Sequence, residues 1–249
     1  MRFGRPAVFG LLWWLLLCAV AFPGDDLYGT VVVIDPGHGG QDPGSHGVFD
    51  GDAVYEDEYT YDVALRLRDL IKKEQGIAVL TTEDPEDRVR EWHPSRVFPP
   101  DQSEVFALDK TRVRARTVGM RKRLAYANQI KRRYPKHRVV FIAIHFDVVG
   151  RRKDVVGVQV ITPRRECPLA AALAKEFDER MRSEHPIAVV GREARNLYIL
   201  NGSNSIKEKV LIELGNFNNP GDLWRIRNPE IRQDYAKRIV KALTARRTR

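Results

Sequence analysis

The chain has 249 residues, of which 43% are hydrophobic and 30% are charged, and its formal net charge at pH 7 is +9. These values suit one large globular domain, with or without a leader, and a core of ordinary size. The basic residues are dispersed and no aromatic–basic RNA signature is present, which argues against a nucleic-acid partner. The charge instead suits an anionic surface such as a cell wall or a membrane.

Residues 1–21 have the pattern of a secretory signal peptide. Arg2 and Arg5 precede an apolar stretch, and residues 19–21 form an Ala-x-Ala cleavage pattern. Because the stretch is shorter than the roughly 20 residues of a spanning helix, we favour cleavage after about Ala21, with an uncleaved membrane anchor as the alternative. Cleavage would remove the two arginines, which lowers the net charge from +9 to about +7, and would leave Cys167 without an intrachain disulfide partner. The predicted location is the periplasm, the cell envelope or the extracellular space.

Strand and helix patterns alternate along the rest of the chain. Apolar runs predict strands at residues 31–34, 77–81, 139–144, 155–162 and 210–214, and a short strand at 196–200. Helical spacing of apolar residues predicts helices at residues 59–74, 112–133, 169–184 and 229–244. This alternation predicts an α/β fold, with a twisted, mostly parallel sheet and helices on both faces.

Residues 83–111 interrupt this rhythm. They contain four prolines and many charges, and they show no clear period. A stretch of this length without regular structure inside a compact domain is usually functional or disordered. We therefore treat residues 83–111 as an insertion, which could form a wall of a substrate groove or a regulatory flap.

His38 is the first candidate metal ligand. It lies in a glycine-rich turn, residues 35–40, directly after the first predicted strand. Ligands bind at the carboxyl ends of strands in open α/β sheets, and imidazole is the commonest metal ligand in proteins. A simple turn residue is the alternative, but the glycines on both sides of His38 favour a functional role.

Three further residues lie at the ends of predicted elements. His145 closes a predicted strand, Glu56 precedes the first predicted helix, and Glu213 lies within an apolar strand. His145 could instead be a core histidine, and Glu56 could simply interact with the helix dipole. Glu213 is costly to bury without a partner. Two histidines and a carboxylate form a common catalytic zinc site, and a further carboxylate can serve as its general base.

Together these segments resemble the zinc-dependent N-acetylmuramoyl-L-alanine amidases of bacterial cell-wall turnover. The resemblance rests on residues 34–44, on Arg123 with residues 127–128, on the strand that ends at His145, and on residues 210–215 followed by 219–220. It implies a catalytic domain over residues 28–245. Phe146 stands where the family usually has alanine, and we expect it to reshape the cleft.

The resemblance also implies roles for the candidate residues. His38, Glu56 and His145 would be zinc ligands, with Glu58 as the fallback for Glu56, and Glu213 would be the catalytic base. The implied reaction is hydrolysis of the amide bond between N-acetylmuramic acid and L-alanine in peptidoglycan. A non-catalytic wall-binding module and a zinc peptidase that acts within the stem peptide are the alternatives. An activator protein and the oligomeric state are left open.

Overall fold

The computed structural model describes residues 27–86, 88–114, 116–147, 153–163, 167–178 and 189–246. The predicted signal peptide lies outside these residues. The strands are β1 (Thr30–Pro36), β2 (His46–Phe49), β3 (Asp52–Tyr55), β4 (Ile77–Leu80), β5 (Thr82–Glu83), β6 (Val105–Phe106), β7 (Arg138–Asp147), β8 (Val158–Thr162), β9 (Val189–Ala194) and β10 (Glu208–Asn216). The helices are α1 (Glu56–Lys73), α2 (Arg116–Arg133), α3 (Pro168–Phe177), α4 (Tyr198–Asn201), α5 (Pro220–Arg227) and α6 (Pro229–Thr244).

Six strands form the main sheet, in the order β4-β1-β7-β10-β8-β9. The pairs β1–β4, β1–β7, β7–β10 and β8–β9 are parallel, whereas β8 runs antiparallel to β10. The prediction of a mostly parallel sheet in an α/β fold is therefore confirmed.

The sheet is buried on both faces, as its apolar strands require. Along β1, Val32 and Ile34 belong to one core cluster, while Val31 and Val33 belong to the other. Helices α1, α3, α5 and α6 contribute to the first cluster, and α2 and α4 contribute to the second. Helices thus cover both faces, as predicted.

Several predicted elements differ in their bounds: strand β8 begins at Val158 rather than at residue 155, and helices α1 and α2 begin where the backbone has other hydrogen-bond partners. Helix α2 begins at Arg116 rather than at residue 112, since Val113 N–H donates to Glu104 and Val113 C=O accepts from Gln41. The described part of helix α3 ends at Phe177, and residues 179–184 of that predicted helix lie outside the described residues. Helix α1 begins at Glu56 rather than at residue 59. The Glu56 amide, which has no acceptor within the helix, donates to the Ser45 carbonyl, and this hydrogen bond stabilises the earlier start.

The predicted strand at residues 196–200 is wrong. This stretch contains the single turn α4, in which the Leu200 and Asn201 amides both donate to the Leu197 carbonyl. Leu197, Ile199 and Leu200 all pack in the core cluster on one face of the sheet, but from a helical turn rather than from a strand. A short apolar run of this kind fits either a strand or a helical turn.

The insertion is packed against the domain. Strands β5 and β6 pair with each other, and Phe98 is 1% exposed, with its ring stacked 4.4 Å from that of Tyr59 in α1. A cleft lined by His38, His145 and Glu213 has no lining residue from 83–111 among the described residues. The expectation of a groove wall therefore gains no support at this cleft.

Asp62 joins α1, α6 and the insertion through hydrogen bonds that are buried or partly buried. Its carboxylate accepts from Arg66 Nε at 2.8 Å, from Arg232 Nε at 2.5 Å and from the Arg90 amide at 2.7 Å. Asp62, Arg66 and Arg232 are each at most 2% exposed. Such a group depends on every member, because removal of one partner leaves buried charge without compensation.

Within the residues described above, none of the helices is both long and apolar enough to cross a bilayer.

We expect Asp62→Asn to lower the free energy of unfolding by about 3–5 kcal/mol, because the buried guanidinium groups of Arg66 and Arg232 lose the buried carboxylate that they share. Urea denaturation followed by circular dichroism measures this change. Asp69→Asn is the matched control on the same helix: its side chain is 46% exposed beside Arg68, so its effect should stay within about 0.5 kcal/mol. Equal effects of the two variants would show that the buried cluster does not stabilise the fold.

Candidate metal centre

The turn after β1 holds His38 close to the end of β7. The Gly37 amide donates to the Ile144 carbonyl at 2.8 Å. A Cβ atom on Gly37 would lie only 2.5 Å from the His145 ring, so this approach needs glycine. His38 itself has φ 65°, a conformation that non-glycine residues seldom adopt. The sequence therefore creates a tight turn that faces His145.

His38, Glu56 and His145 converge at this turn. His38 Nε2 lies 3.2 Å from Glu56 Oε2, and His145 Nδ1 lies 2.9 Å from Glu56 Oε1. The two imidazole rings meet edge to face with their centroids 5.1 Å apart. One potential ligand atom from each residue lies within 4.8 Å of the others. These three side chains can hold a metal ion.

The structure distinguishes Glu56 from its neighbour Glu58. Glu56 is 1% exposed, and its two carboxylate oxygens accept from the Ser45 amide at 2.8 Å and the Phe146 amide at 3.1 Å. Glu58 instead pairs with Arg90 at 2.8 Å and accepts from the Asp101 amide at 2.9 Å. The geometry thus brings Glu56, and not Glu58, to the two histidines.

Charge couples the three residues strongly. Burial lowers the pKa of His38, but hydrogen bonds and charges from Asp42 and Glu56 outweigh this effect and raise the pKa to about 10. Burial acts to raise the pKa of Glu56, but His145 and His38 hold that pKa well below its usual range. In the metal-free protein, a protonated His38 thus supplies positive charge that a metal ion would replace.

Two supporting residues were missed by the sequence analysis as parts of the site. Asp42 Oδ1 lies 3.2 Å from His38 Nδ1, where a carboxylate orients an imidazole ligand. From α2, the Arg123 guanidinium donates to Asp35 Oδ1 at 2.8 Å, to the Pro36 carbonyl at 2.5 Å, and to the His38 carbonyl. Asp42 follows His38 by four positions, and this short spacing could have suggested that its carboxylate contacts the imidazole. Arg123 was noted only as part of a family motif.

Glu213 lies beside this cluster. Glu213 of β10 is in register with His145 of β7, and residues in register on neighbouring strands point to the same face of a sheet. His38, His145 and Glu213 all line one cleft of about 470 Å³. Its apolar lining includes Val113, Met120, Leu197, Tyr198, Ile199 and Leu211. The four predicted residues therefore meet in or beside one cleft, and their roles as ligands and base stay predictions.

Phe146 does not line this cleft. It is 1% exposed and belongs to the core cluster, where its ring lies 5.8 Å from that of Phe217. The expectation that Phe146 reshapes the cleft therefore gains no support from the position of its side chain. Its ring points to the opposite side of β7 from His145, because successive strand residues alternate between faces.

Comparison with known proteins identifies the same family along nearly the whole chain. A family model described as N-acetylmuramoyl-L-alanine amidase matches residues 32–245. The germination-specific N-acetylmuramoyl-L-alanine amidase of Bacillus subtilis (strain 168) is 22% identical over 217 residues, which are 87% of this chain and 79% of that protein.

Solved structures share the fold. The N-acetylmuramoyl-L-alanine amidase AmiC2 of Nostoc punctiforme has a TM-score of 0.63 at 22% identity, and the match covers 89% of this chain and 98% of that one. The CwlD amidase of Clostridioides difficile, solved in complex with the GerS lipoprotein, has a TM-score of 0.62 at 19% identity, and the match covers 88% and 98%.

We expect Gly44→Ala to abolish divalent-metal binding. Gly44 has φ 74°, and an added Cβ would lie 2.6 Å from Glu56 Oε2 and 2.7 Å from the His38 ring. Gly51→Ala is the matched control, because Gly51 has φ 88° but an added Cβ there contacts nothing within 4 Å. Both variants should lose about 1–2 kcal/mol of stability from the left-handed backbone.

Metal titration of the folded variants, together with urea denaturation, separates the two effects. Gly51→Ala should bind metal as the wild type does. Wild-type metal affinity in Gly44→Ala would contradict the convergence of Glu56 and His38 on one ion.

Proposed function

Because the chain belongs to the N-acetylmuramoyl-L-alanine amidase family, we propose that it is a zinc-dependent hydrolase of the amide bond between N-acetylmuramic acid and L-alanine in peptidoglycan. The observation that carries this proposal is the convergence of His38, Glu56 and His145 beside a cleft that Glu213 also lines. We assign residues 28–245 to the catalytic domain, with residues 83–111 as its insertion.

The donor set fits zinc. Two imidazole nitrogens and one carboxylate oxygen are a common protein ligand set for catalytic zinc, which keeps a further position open for water or substrate. The Ser45 and Phe146 amides fix the Glu56 carboxylate, and Asp42 lies against the far nitrogen of His38. These contacts supply the outer support that metal ligands need to keep their orientation.

The protein residues divide the reaction between them. A bound zinc ion would supply Lewis-acid chemistry, which polarises the amide carbonyl and makes water more acidic. Glu213 accepts a proton from the attacking water and returns it to the alanine nitrogen as the amide bond breaks. The apolar side chains of the cleft pack against the substrate and exclude bulk water, which strengthens electrostatic interactions at the reacting atoms. The products are unsubstituted glycan and free stem peptide.

We further propose that the protein acts outside the cytoplasm, after export by the segment at residues 1–21 or while anchored by it. A peptidoglycan substrate supports this location, as does the net positive charge. A protein activator is part of the same proposal, because the related CwlD amidase was solved in complex with the GerS lipoprotein.

We expect Glu213→Gln to lower the rate of peptidoglycan cleavage about 10²- to 10⁴-fold while zinc binding is retained, because the amide cannot accept the proton from water. Dye release from labelled peptidoglycan gives the rate, and elemental analysis gives the zinc content. Glu208→Gln is the matched control on the same strand. Glu208 pairs with Arg138 at 2.8 Å, far from the carboxyl end of β10, and its variant should keep full activity. Full activity of Glu213→Gln would exclude Glu213 as the base.

We expect one zinc ion per chain in the wild type and none in His38→Ala, because His38 supplies a nitrogen ligand that alanine lacks. Zinc content after dialysis measures this difference. His93→Ala is the control: its imidazole contacts Ser95 at the surface, so it should keep the metal. Zinc retained by His38→Ala would contradict the assigned ligand set.

Mass analysis of digested peptidoglycan separates the two alternative functions. The proposed amidase releases intact stem peptides that begin with L-alanine and leaves glycan strands without peptide. A peptidase within the stem would leave L-alanine attached to muramic acid. A wall-binding module would release neither product, although it would sediment with peptidoglycan.

A further inference from the structure

We propose that Glu104, in the insertion at residues 83–111, is a positioning residue for the metal site: it holds the backbone turn that presents His38. This inference rests on the proposed function, because it concerns the same metal centre. In this proposal, residues 83–111 support the metal site.

Glu104 contacts the turn directly. Its Oε2 atom accepts a hydrogen bond from the Gly40 amide at 2.7 Å, and the residue is 3% exposed. A Cβ atom on Gly39 would lie 3.4 Å from the Glu104 carboxylate carbon. The side chain therefore lies flush against both glycines that follow His38.

The turn needs such support. His38, Gly39 and Gly40 have successive φ values of 65°, 111° and 63°. A non-glycine residue in the left-handed region persists only where its surroundings impose that conformation. The Gly39 amide donates to the Asp42 carbonyl within the turn. The Gly40 amide instead points out of the turn and is bound by Glu104, so this carboxylate fixes the direction of the backbone just after His38.

Backbone hydrogen bonds on Glu104 and on the residues that follow it fix this part of the insertion. The next two residues form β6, which pairs with β5, and the Ala107 amide donates to the Thr81 carbonyl at 3.0 Å. The Glu104 carbonyl accepts from the Val113 amide at 3.0 Å, and the Val113 carbonyl accepts from the Gln41 amide at 3.2 Å. The successive amides of Gly40 and Gln41 are thus bound by Glu104 and by Val113, which are hydrogen-bonded to each other.

A carboxylate is costly at this position. Burial, with further contributions from Asp101 and Glu58, raises the pKa of Glu104 to about 7. An apolar residue would avoid that cost. Buried ionisable groups with perturbed pKa values cluster at functional sites, and the contact with Gly40 gives this group a function to serve.

The test compares variants of Glu104 by their dissociation constant for zinc, measured by competition with a chromogenic chelator. Glu104→Gln keeps the length and an acceptor oxygen, so it should bind zinc as the wild type does. Glu104→Asp keeps the charge but loses reach, and Glu104→Ala loses both. These two should bind zinc about 10- to 100-fold more weakly, the usual cost of removing a contact that supports metal ligands.

The melting temperature of each metal-free variant separates positioning from stability. Glu83→Ala is the control within the insertion, because Glu83 forms an exposed ion pair with Lys110 and should leave zinc affinity unchanged. If Glu104→Ala and Glu104→Asp melt at lower temperatures but bind zinc with wild-type affinity, Glu104 is structural and the inference is overturned. If only Glu104→Asp folds, its zinc affinity relative to Glu104→Gln decides.

Failure of the proposed function and failure of the positioning role alone give different results. A wild-type protein that binds no zinc would overturn both proposals. Zinc binding by the wild type, its loss in His38→Ala and unchanged affinity in Glu104→Asp would overturn the positioning role alone.

Discussion

The parallel pairing of β1, β7 and β10 is the constraint on which the site depends. Pro36 is in register with Ile144, and Glu213 is in register with His145. Parallel strands end at the same edge of a sheet, so residues that are far apart in the chain become neighbours without any short sequence motif. The same pairing brings the Gly37 amide to the Ile144 carbonyl. This hydrogen bond fixes the position of His38 relative to His145 along the strand direction.

Glu56 reaches the site by another route, through the hairpin of β2 and β3. His46 pairs with Tyr55, so the chain leaves the site after Ser45 and returns to it at Glu56. The Ser45 amide then donates to the Glu56 carboxylate, and the Glu56 amide donates to the Ser45 carbonyl. The register of the hairpin therefore determines where Glu56, the third predicted ligand, lies.

The sequence was sufficient for features that depend on apolar periodicity. The runs at β1, β7 and β10 predicted buried parallel strands, and the polar residues that end them predicted the site. The hairpin was missed, although Asp50-Gly51 is a strong hairpin signal, and both residues have positive φ values in the structure. Glu104 could not have been predicted as a contact of Gly40, because nothing local relates a carboxylate in an aperiodic segment to an amide 64 positions away.

The same limit applies to Arg123 and to the start of α2. Arg123 lies on a helical face, where charged residues usually meet solvent, yet it is 6% exposed and donates to the end of β1. Val113 has a residue type that a helix accepts, but its amide and carbonyl are already bound by Glu104 and Gln41. Tertiary hydrogen bonds thus determine both the burial of Arg123 and the first residue of α2, and local sequence patterns do not predict such bonds.

The start of α1 shows how the protein controls charge at the site. Three carboxylates stand in succession at the positive end of the helix dipole, which favours all of them. Their surroundings differ, however. Glu58 is paired with Arg90, whereas burial and the charges of Glu58 and Glu104 raise the pKa of Asp57 to about 9. At neutral pH, Asp57 is therefore uncharged, and Glu56 is the ionised carboxylate of this turn that faces the histidines. A divalent metal held by one carboxylate and two neutral imidazoles would keep a net positive charge, and that charge is what activates water and an amide carbonyl for hydrolysis.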